Sequence, residues 1–357
     1  INEAVEEGKK KSNEINHQRE VYRPVAMEGA MLYFMLTQLS GISHMYQYSL
    51  DSFVYFFYKA IERAPEADES LQRVQLLRET LRLTVYTWIS RGLFESHKLI
   101  VLALLTFNLM RRGIIGGDDF SPELLSFLLR PSSKVDEECP VAWLSKSAWY
   151  NLCALAEVDE FSRLPADIVE ASPRFQEWFN HVTPEDEKMP LDWALLDKQP
   201  FRKMLVLRCM RPDRMSTALN SFIRNELPKG DAFVDCDSTL SSFQVLEQVF
   251  GDSSPRIPIY FLLSPGVDIV SDVDKLAAKL GMEKGITYHN VSMGQGQDKN
   301  AMEKLEMGHK QGHWVLLNNV HLMPRWLSEV EKKLDEFAEE GSHESFRVFF
   351  TSEPATS

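Results

Sequence analysis

The sequence predicts an all-helical region followed by an α/β domain with a parallel sheet. Residues 1–130 repeat apolar side chains at helical spacing and show no strand signal. From residue 258 onward, short apolar runs alternate with amphipathic segments of helical length. This alternation is typical of βαβ crossovers. A polar stretch bounded by prolines, residues 131–140, separates the two regions and indicates a linker.

Residues 1–20 are polar and highly charged, and they contain few apolar positions. Such a helix either bridges solvent or forms half of a coiled coil whose partner lies elsewhere. We predict that it projects from a helical subdomain, residues 21–130, and that Arg23-Pro24 breaks it. Inside that subdomain an aromatic segment, residues 46–58, favours helix packing, with a ligand-stacking platform as the alternative.

Residues 131–200 predict an acidic linker with short helices, whose Trp residues would pin them to a neighbouring surface. We predict the α/β domain at residues 201–357. Two helices, at residues 201–210 and 215–227, lead into its sheet. Its strands are expected at residues 258–263, 286–291, 313–317 and 346–350, and its helices at 270–280, 298–310 and 324–339. The first strand is continuously apolar, so we expect it to be buried on both faces.

Ligands of such sheets bind at the carboxyl ends of the strands, and here these positions are Ser264, Met293, Asn318 and Thr351. A nucleotide-hydrolysing version of this fold needs a phosphate-cradling loop, GxxxxGK[ST], after the first strand. The expected loop begins at Ser264. Its chemistry decides whether the domain can bind a nucleotide.

The loop departs from that pattern when Ser271 is aligned with the final hydroxyl position and Ser264 with the first Gly. Val270 then replaces the Lys that holds phosphate, and Ile269 replaces the second Gly. Asp268 adds a carboxylate close to where phosphate oxygens would lie, and Gly266 stands two residues before it. Two like charges about 4 Å apart repel by roughly 4 kcal/mol at an effective dielectric near 20.

The third strand ends in Asn318-Asn319, where an acidic pair should hold the metal and polarise water. Neutral amides are poor Mg²⁺ ligands and cannot act as bases. We therefore interpret the domain as a phosphate-loop NTPase fold without its chemistry. It is expected to hold no catalytic residue, no cofactor and no metal.

Composition limits the function classes. The net charge of -13 argues against nucleic-acid binding, which needs basic patches. The most apolar helix, residues 99–110, is too short to span a bilayer, so no membrane partner is expected. The four cysteines lack metal-ligand spacing and suit a reducing compartment. The chain starts inside a helical pattern and stops after the fourth strand, so we expect it to be a piece of something larger.

Two other groups of side chains have alternative interpretations. His309, His313 and His321 have no carboxylate or cysteine at ligand spacing, which argues against a metal site. Arg211 and Arg214 could reach a phosphate across a module boundary as arginine fingers do, but local salt bridges are the favoured interpretation.

The Gly294-Gln295-Gly296 string begins like a dinucleotide-binding fingerprint, but Lys299 stands at the third glycine position. A tight turn before the next helix is therefore favoured. A contact between neighbouring modules is the alternative.

Several strings spread along the chain resemble dynein heavy chains. They are YRPVA (22–26), MYQYSL (45–50), RGLFESHK (91–98), LRCMRPDR (207–214), LSPGVD (263–268), SMGQGQ (292–297), GHWVLL (312–317) and HLM (321–323). The resemblance covers nearly the whole chain, in order. The GQGQ and HWV strings are more similar to axonemal heavy chains than to the cytoplasmic one.

The resemblance implies a position in a ring of AAA+ modules. Residues 1–130 would belong to the small helical subdomain of the fifth module, with residues 1–20 near the buttress coiled coil. Residues from 201 onward would form the large subdomain of the sixth module, which does not hydrolyse nucleotide in that family. ATP and Mg²⁺ would then be bound by other modules of the parent chain.

The same resemblance implies partners and a location. The partners would be the neighbouring modules and the stalk, microtubules through the parent chain, and intermediate and light chains. The location would be the cytoplasm and cytoskeleton, in the axoneme of a cilium or flagellum. The favoured function is thus a non-catalytic element that transmits ATP-driven conformational change for microtubule-based movement. The alternative is an independent phosphate-loop NTPase or another nucleotide-binding enzyme.

Overall fold

The structure, a computed structural model, describes residues 2–116, 120–131, 138–236, 240–264 and 266–354, without the side chains of residues 2–5 and 7–9. Most of the predicted linker at 131–140 and Pro265 of the predicted loop lie outside these residues. The chain divides into two compact units, Ile1–Cys236 and Asp237–Ser357.

The first unit is helical throughout its described residues. Its α-helices are α1 (Asn2–Gln38), α2 (Leu50–Arg63), α3 (Ser70–Ser90), α4 (Glu95–Arg111), α5 (Pro122–Leu129), α6 (Lys146–Leu155), α7 (Leu164–Glu170), α8 (Ser172–Asn180), α9 (Pro200–Met210), α10 (Met215–Glu226) and α11 (Gly230–Val234). Short 3₁₀ helices lie at Leu39–Gly41, Asp159–Phe161, Leu191–Lys198 and Pro212–Arg214.

The predicted break at Pro24 is wrong, because α1 continues through it. A proline inside a helix removes one backbone hydrogen bond. Downstream of Pro24, this loss is offset by packing and by charge. Leu32 and Leu36 are buried there, and the buried carboxylate of Glu28 pairs with Arg78 and Arg82 of α3.

The predicted aromatic segment forms α2 and packs as a helix. Ser49 caps it by accepting a hydrogen bond from the amide of Ser52. Phe56 stacks on Trp88 of α3 with ring centroids 4.1 Å apart. Helix packing therefore accounts for the buried part of the aromatic cluster.

Residues 138–236 belong to the helical core and are not a linker leading into the sheet domain. Trp149 and Trp178 are buried, and Phe201 of α9 packs against Phe107 of α4 with ring centroids 6.0 Å apart. The predicted division at residue 200 therefore differs from the observed division after Cys236. Local sequence patterns locate the short helices, but these long-range contacts decide which core they join.

The described residues of the second unit form four α-helices and four strands. They are α12 (Ser242–Asp252), β1 (Ile259–Leu262), α13 (Val270–Lys279), β2 (Tyr288–Ser292), α14 (Asp298–Gln311), β3 (Trp314–Asn318), α15 (Pro324–Glu340) and β4 (Arg347–Ser352), with a 3₁₀ helix at Val320–Leu322. The sheet is parallel throughout, in the order β1-β4-β3-β2. The predicted parallel α/β fold is confirmed.

The two faces of the sheet bury separate clusters of apolar side chains. Val315 and Leu317 of β3 pack with α14 and α15, whereas Trp314 and Leu316 pack with α12 and α13. Alternation along a strand places successive side chains on opposite faces. All five residues of β3 are buried, as expected for a central strand.

Along the described residues β1 is not buried on both faces, which differs from the expectation. Ile259 is buried, but Tyr260 and Leu262 are 52% and 36% exposed. Among the described strands, β1 pairs with β4 on one side only.

Candidate functional site

The carboxyl ends of the strands meet at one edge of the sheet, where the sequence predicts any nucleotide chemistry. β1 and β4 are joined there by a hydrogen bond from the Leu263 amide to the Ser352 carbonyl (2.8 Å). The loop after β1 turns through a bond from the Val267 amide to the Ser264 carbonyl (3.1 Å). Gly266 has φ +84°, a left-handed conformation that side chains disfavour.

The amino end of α13 is occupied by a carboxylate of the chain itself. Asp268 Oδ1 accepts a hydrogen bond from the Val270 amide (2.8 Å). Free amides at a helix N-terminus are the groups that bind phosphate in nucleotide sites. Asp272, in the same first turn, adds a second carboxylate, and hydrogen bonds from Lys275 and Ser242 lower its pKa.

The other residues of the predicted loop do not converge on a binding site. Ile269 is buried, and Val270 packs partly against the apolar cluster of α12 and α13. Ser264 and Ser271 are exposed. No cation of the described residues takes the place of the missing Lys within this loop.

Asn318 is held in a hydrogen-bond network at the end of β3. Its amide nitrogen donates to Asn290 Oδ1 (2.5 Å), and its amide oxygen accepts from the Thr351 hydroxyl (3.2 Å). Asn318 is 8% exposed. Its side chain therefore joins β2, β3 and β4.

The backbone of Asn319 takes part in this network, but its side chain does not. Its amide donates to the Thr351 hydroxyl (3.0 Å), and its φ of +58° is left-handed, which Asn tolerates better than most residues. The side chain is exposed. The two asparagines thus do not act as a pair, and the roles of Asn290 and Thr351 were not predicted. Asn290 and Thr351 are polar residues near the ends of β2 and β4, and this position could have indicated their contact with Asn318.

The histidines considered for metal binding lie in different surroundings. His309 stacks on Phe337 and contacts Ser342, whereas His321 accepts a bond from the Glu353 amide. His313 pairs with His289, with Nδ1 and Nε2 3.0 Å apart. Among the residues that the structure describes, no group of three or more metal-ligating side chains could hold an ion.

The buried His289–His313 pair predicts a pH-dependent stability of the sheet unit. Burial, Lys304 and His313 lower the pKa of His289, and burial and Lys304 lower the pKa of His313. The unfolded chain therefore binds more protons than the folded one as pH falls through about 6.5. Stability should therefore fall as pH drops below about 6.5, with a slope of at most about 1.4 kcal/mol per pH unit for each histidine.

Urea titrations at several pH values would measure this slope. A His289→Gln/His313→Gln double variant should lose most of it. The matched control, His17→Gln, changes an exposed residue of α1 and should leave the slope unchanged. An unchanged slope in the double variant would contradict the prediction.

The two arginines with an arginine-finger alternative are both engaged inside the first unit. Arg211 donates to the Asp213 carboxylate (2.8 Å from Nη2) and lies over the Phe179 ring. Arg214 pairs with Glu185, whose side chain is buried. Burial raises the pKa of Glu185, but the hydrogen bond from Arg214, a backbone hydrogen bond and the charges of Arg214 and Arg211 together lower it. These contacts agree with the local salt bridges favoured from the sequence.

The Gly294-Gln295-Gly296 string forms the expected tight turn before α14. The Gln297 amide donates to the Gly294 carbonyl (3.2 Å), and Gly296 has φ +80°. The left-handed conformation explains the glycine at position 296. The proposed contact with a neighbouring module remains a prediction.

Sequence comparisons identify relatives over nearly the full chain. Residues 254–357 match the family profile described as Dynein heavy chain region D6 P-loop domain. Dynein axonemal heavy chain 17 of Mus musculus is 40% identical over 364 aligned residues, which cover 99% of this chain and 8% of that protein. The chain belongs to the dynein heavy-chain family. Dynein axonemal heavy chain 9 of Homo sapiens (39% identical) and Dynein beta chain, flagellar outer arm, of Chlamydomonas reinhardtii (37% identical) each align with 100% of this chain and 8% of their own length.

The chain therefore spans about 8% of the length of these dynein relatives. Their names are axonemal and flagellar, which places this segment among the dyneins of the axonemal cytoskeleton. Along the described residues, no helix combines the length and apolarity that a bilayer span requires.

Proposed function

We propose that this dynein segment is a non-catalytic part of an AAA+ motor ring that passes ATP-driven conformational change between its neighbours. The observation that carries the proposal is the hydrogen bond from the Val270 amide to Asp268, because it places a carboxylate where a phosphate would bind. The amide side chain of Asn318, engaged by Asn290 and Thr351, supports it further.

The parent heavy chain would be a microtubule-motor ATPase, with ATP and Mg²⁺ bound by other modules. This segment would contact the neighbouring modules and the stalk. Microtubules, intermediate chains and light chains would be partners of the whole complex. Movement of cilia or flagella follows as the biological role.

Calorimetric titration of the chain with Mg-ATP and Mg-ADP tests the proposal. We expect no saturable heat up to millimolar nucleotide, because the loop offers a carboxylate and no cation to the phosphates. Saturable binding of either nucleotide would contradict it. That result would favour the alternative of an independent phosphate-loop NTPase.

Restoring one element of the site should not restore hydrolysis. Val270→Lys supplies a phosphate ligand but leaves Asp268 and the amides of β3 in place. Asn319→Glu supplies a base without a bound substrate. Groups that act as a catalytic unit are strongly non-additive, so each single variant should stay at background in a phosphate-release assay.

The matched control is Val267→Lys, which adds the same charge at an exposed position of the same loop. It should also stay at background. Turnover by Val270→Lys but not by Val267→Lys would contradict this prediction, because a single substitution would then restore hydrolysis.

A further inference from the structure

The helical unit contains an open groove that is distant in sequence from the predicted nucleotide loop. Two adjoining cavities of about 410 and 580 Å³ form it, and both are lined by Arg163, Asp167 and Asp192. The walls come from the 3₁₀ helices Asp159–Phe161 and Leu191–Lys198 and from α7, with the start of α9. Each cavity lies within the size range of ligand-binding pockets.

The groove has an aromatic and apolar side. Trp193 lies nearly parallel to the fully buried Phe161, with an interplanar angle of 6° and ring centroids 6.1 Å apart. The Trp193 Nε1–H group donates to Asp167 Oδ2 (3.0 Å), which fixes the indole. Leu195 lines the same cavity and is 70% exposed. An apolar side chain bound here would remove this leucine from water.

The charges of the groove are unevenly compensated. Arg202 pairs with Glu160 (3.0 Å), and Arg163 lies 3.6 Å from Asp167. Three further lining carboxylates are exposed and form no ion pair with the described residues: Asp159, Asp192 and Glu170. One further lining cation, Arg174, is likewise exposed and forms no ion pair with the described residues. The uncompensated charge is therefore negative, which favours a cationic group and disfavours nucleic acid.

We propose that this groove binds a short basic segment of a partner polypeptide. A Lys or Arg of that segment would lie near Asp159 and Asp192, and a bulky apolar side chain would cover Leu195 and Trp193. A peptide that carries both kinds of side chain meets both needs, whereas a small cation meets only the first. The proposal is independent of the ring function proposed above.

Fluorescence anisotropy with the 357-residue chain tests it. The probe is labelled acetyl-Leu-Arg-Leu-Lys-Leu-amide, and its charge-reversed form carries Glu at both basic positions. We expect saturable binding of the basic probe only, weakened by salt. Asp159→Asn and Asp192→Asn should each weaken it about 3- to 5-fold, as expected for exposed ion pairs.

Leu195→Ser should weaken binding about 5- to 10-fold, because it removes an apolar contact. The matched controls change exposed residues that do not line the groove: Glu157→Gln for charge and Val182→Ser for the apolar contact, the latter 79% exposed. Both should bind as the unchanged chain does. All five variants alter exposed side chains, and their thermal melting should stay within a few degrees of the parent.

Four outcomes would overturn the proposal. They are the absence of saturable binding, equal binding of the charge-reversed peptide, equal weakening by the control variants, and displacement by arginine amide at the concentration at which the peptide itself displaces the probe. The same titration can be carried out with a complete heavy chain that contains this segment. Retained binding would support a separate partner. Loss of binding would contradict it, because the heavy chain itself would then cover the groove.

Discussion

Replacing Glu28 by Ala should lower the free energy of unfolding of the helical unit by about 3–5 kcal/mol. Glu28 is 2% exposed, and its carboxylate accepts hydrogen bonds from Arg78 Nε (2.6 Å) and from Arg82 Nε and Nη2. Arg82 is itself buried. Removing the carboxylate leaves that guanidinium in the protein interior without its counter-ion.

Urea unfolding followed by circular dichroism would measure this loss. Glu20→Ala is the matched control, because Glu20 lies on the same helix and pairs with Arg23 at the surface (3.0 Å). Such exposed pairs contribute at most about 1 kcal/mol. A Glu28→Leu/Arg82→Met variant should recover much of the loss, since an apolar pair of similar volume avoids the buried charges. Equal effects of Glu28→Ala and Glu20→Ala would show that the ion pairs do not fasten α1.

Prolines at Val5 and Asn13 should uncouple microtubule affinity from nucleotide state in a complete heavy chain that carries this segment. Each proline costs about 3 kcal/mol in a helix interior. Residues 10–20 are exposed, so no packing within the described unit offsets the cost at Asn13. The native Pro24 differs, because the buried helix that follows it is fastened to α3.

We propose that residues 1–20 form a rod that reports the state of the ring to the stalk. Microtubule co-sedimentation with and without ATP would measure the coupling, while ATP binding should remain unchanged. The Val5→Ala/Asn13→Ala variant controls for loss of the side chains and should behave normally. Normal nucleotide-dependent release by the proline variant would rule out the rod. Removing residues 1–20 should leave the melting of the remaining chain nearly unchanged.

Much of the sheet domain was predictable because its signals are local. A buried strand such as β3 is an apolar run, and an amphipathic helix such as α15 repeats at helical spacing, so each can be recognised from a few consecutive residues. The predicted ends of these elements lie within about two residues of the observed ones. The replacement of a phosphate-binding Lys by Val270 is also visible in the sequence alone.

The tertiary structure decided the features that depend on distant residues. The ion pair of buried Glu28 with Arg82 of α3 stabilises α1 beyond Pro24. The packing of Phe201 on Phe107 places α9 in the helical core. Among the described strands β1 pairs with β4 alone, so the exposure of Tyr260 follows from the strand order and not from composition. The sequence identified Asn318 as a neutral amide at the position of a missing acidic ligand, but not its bonds to Asn290 and Thr351, which lie 28 and 33 residues away. The sequence determined which elements form, because hydrogen bonding and periodicity act within a segment; the structure determined which side chains meet, because burial and ion pairing act between segments.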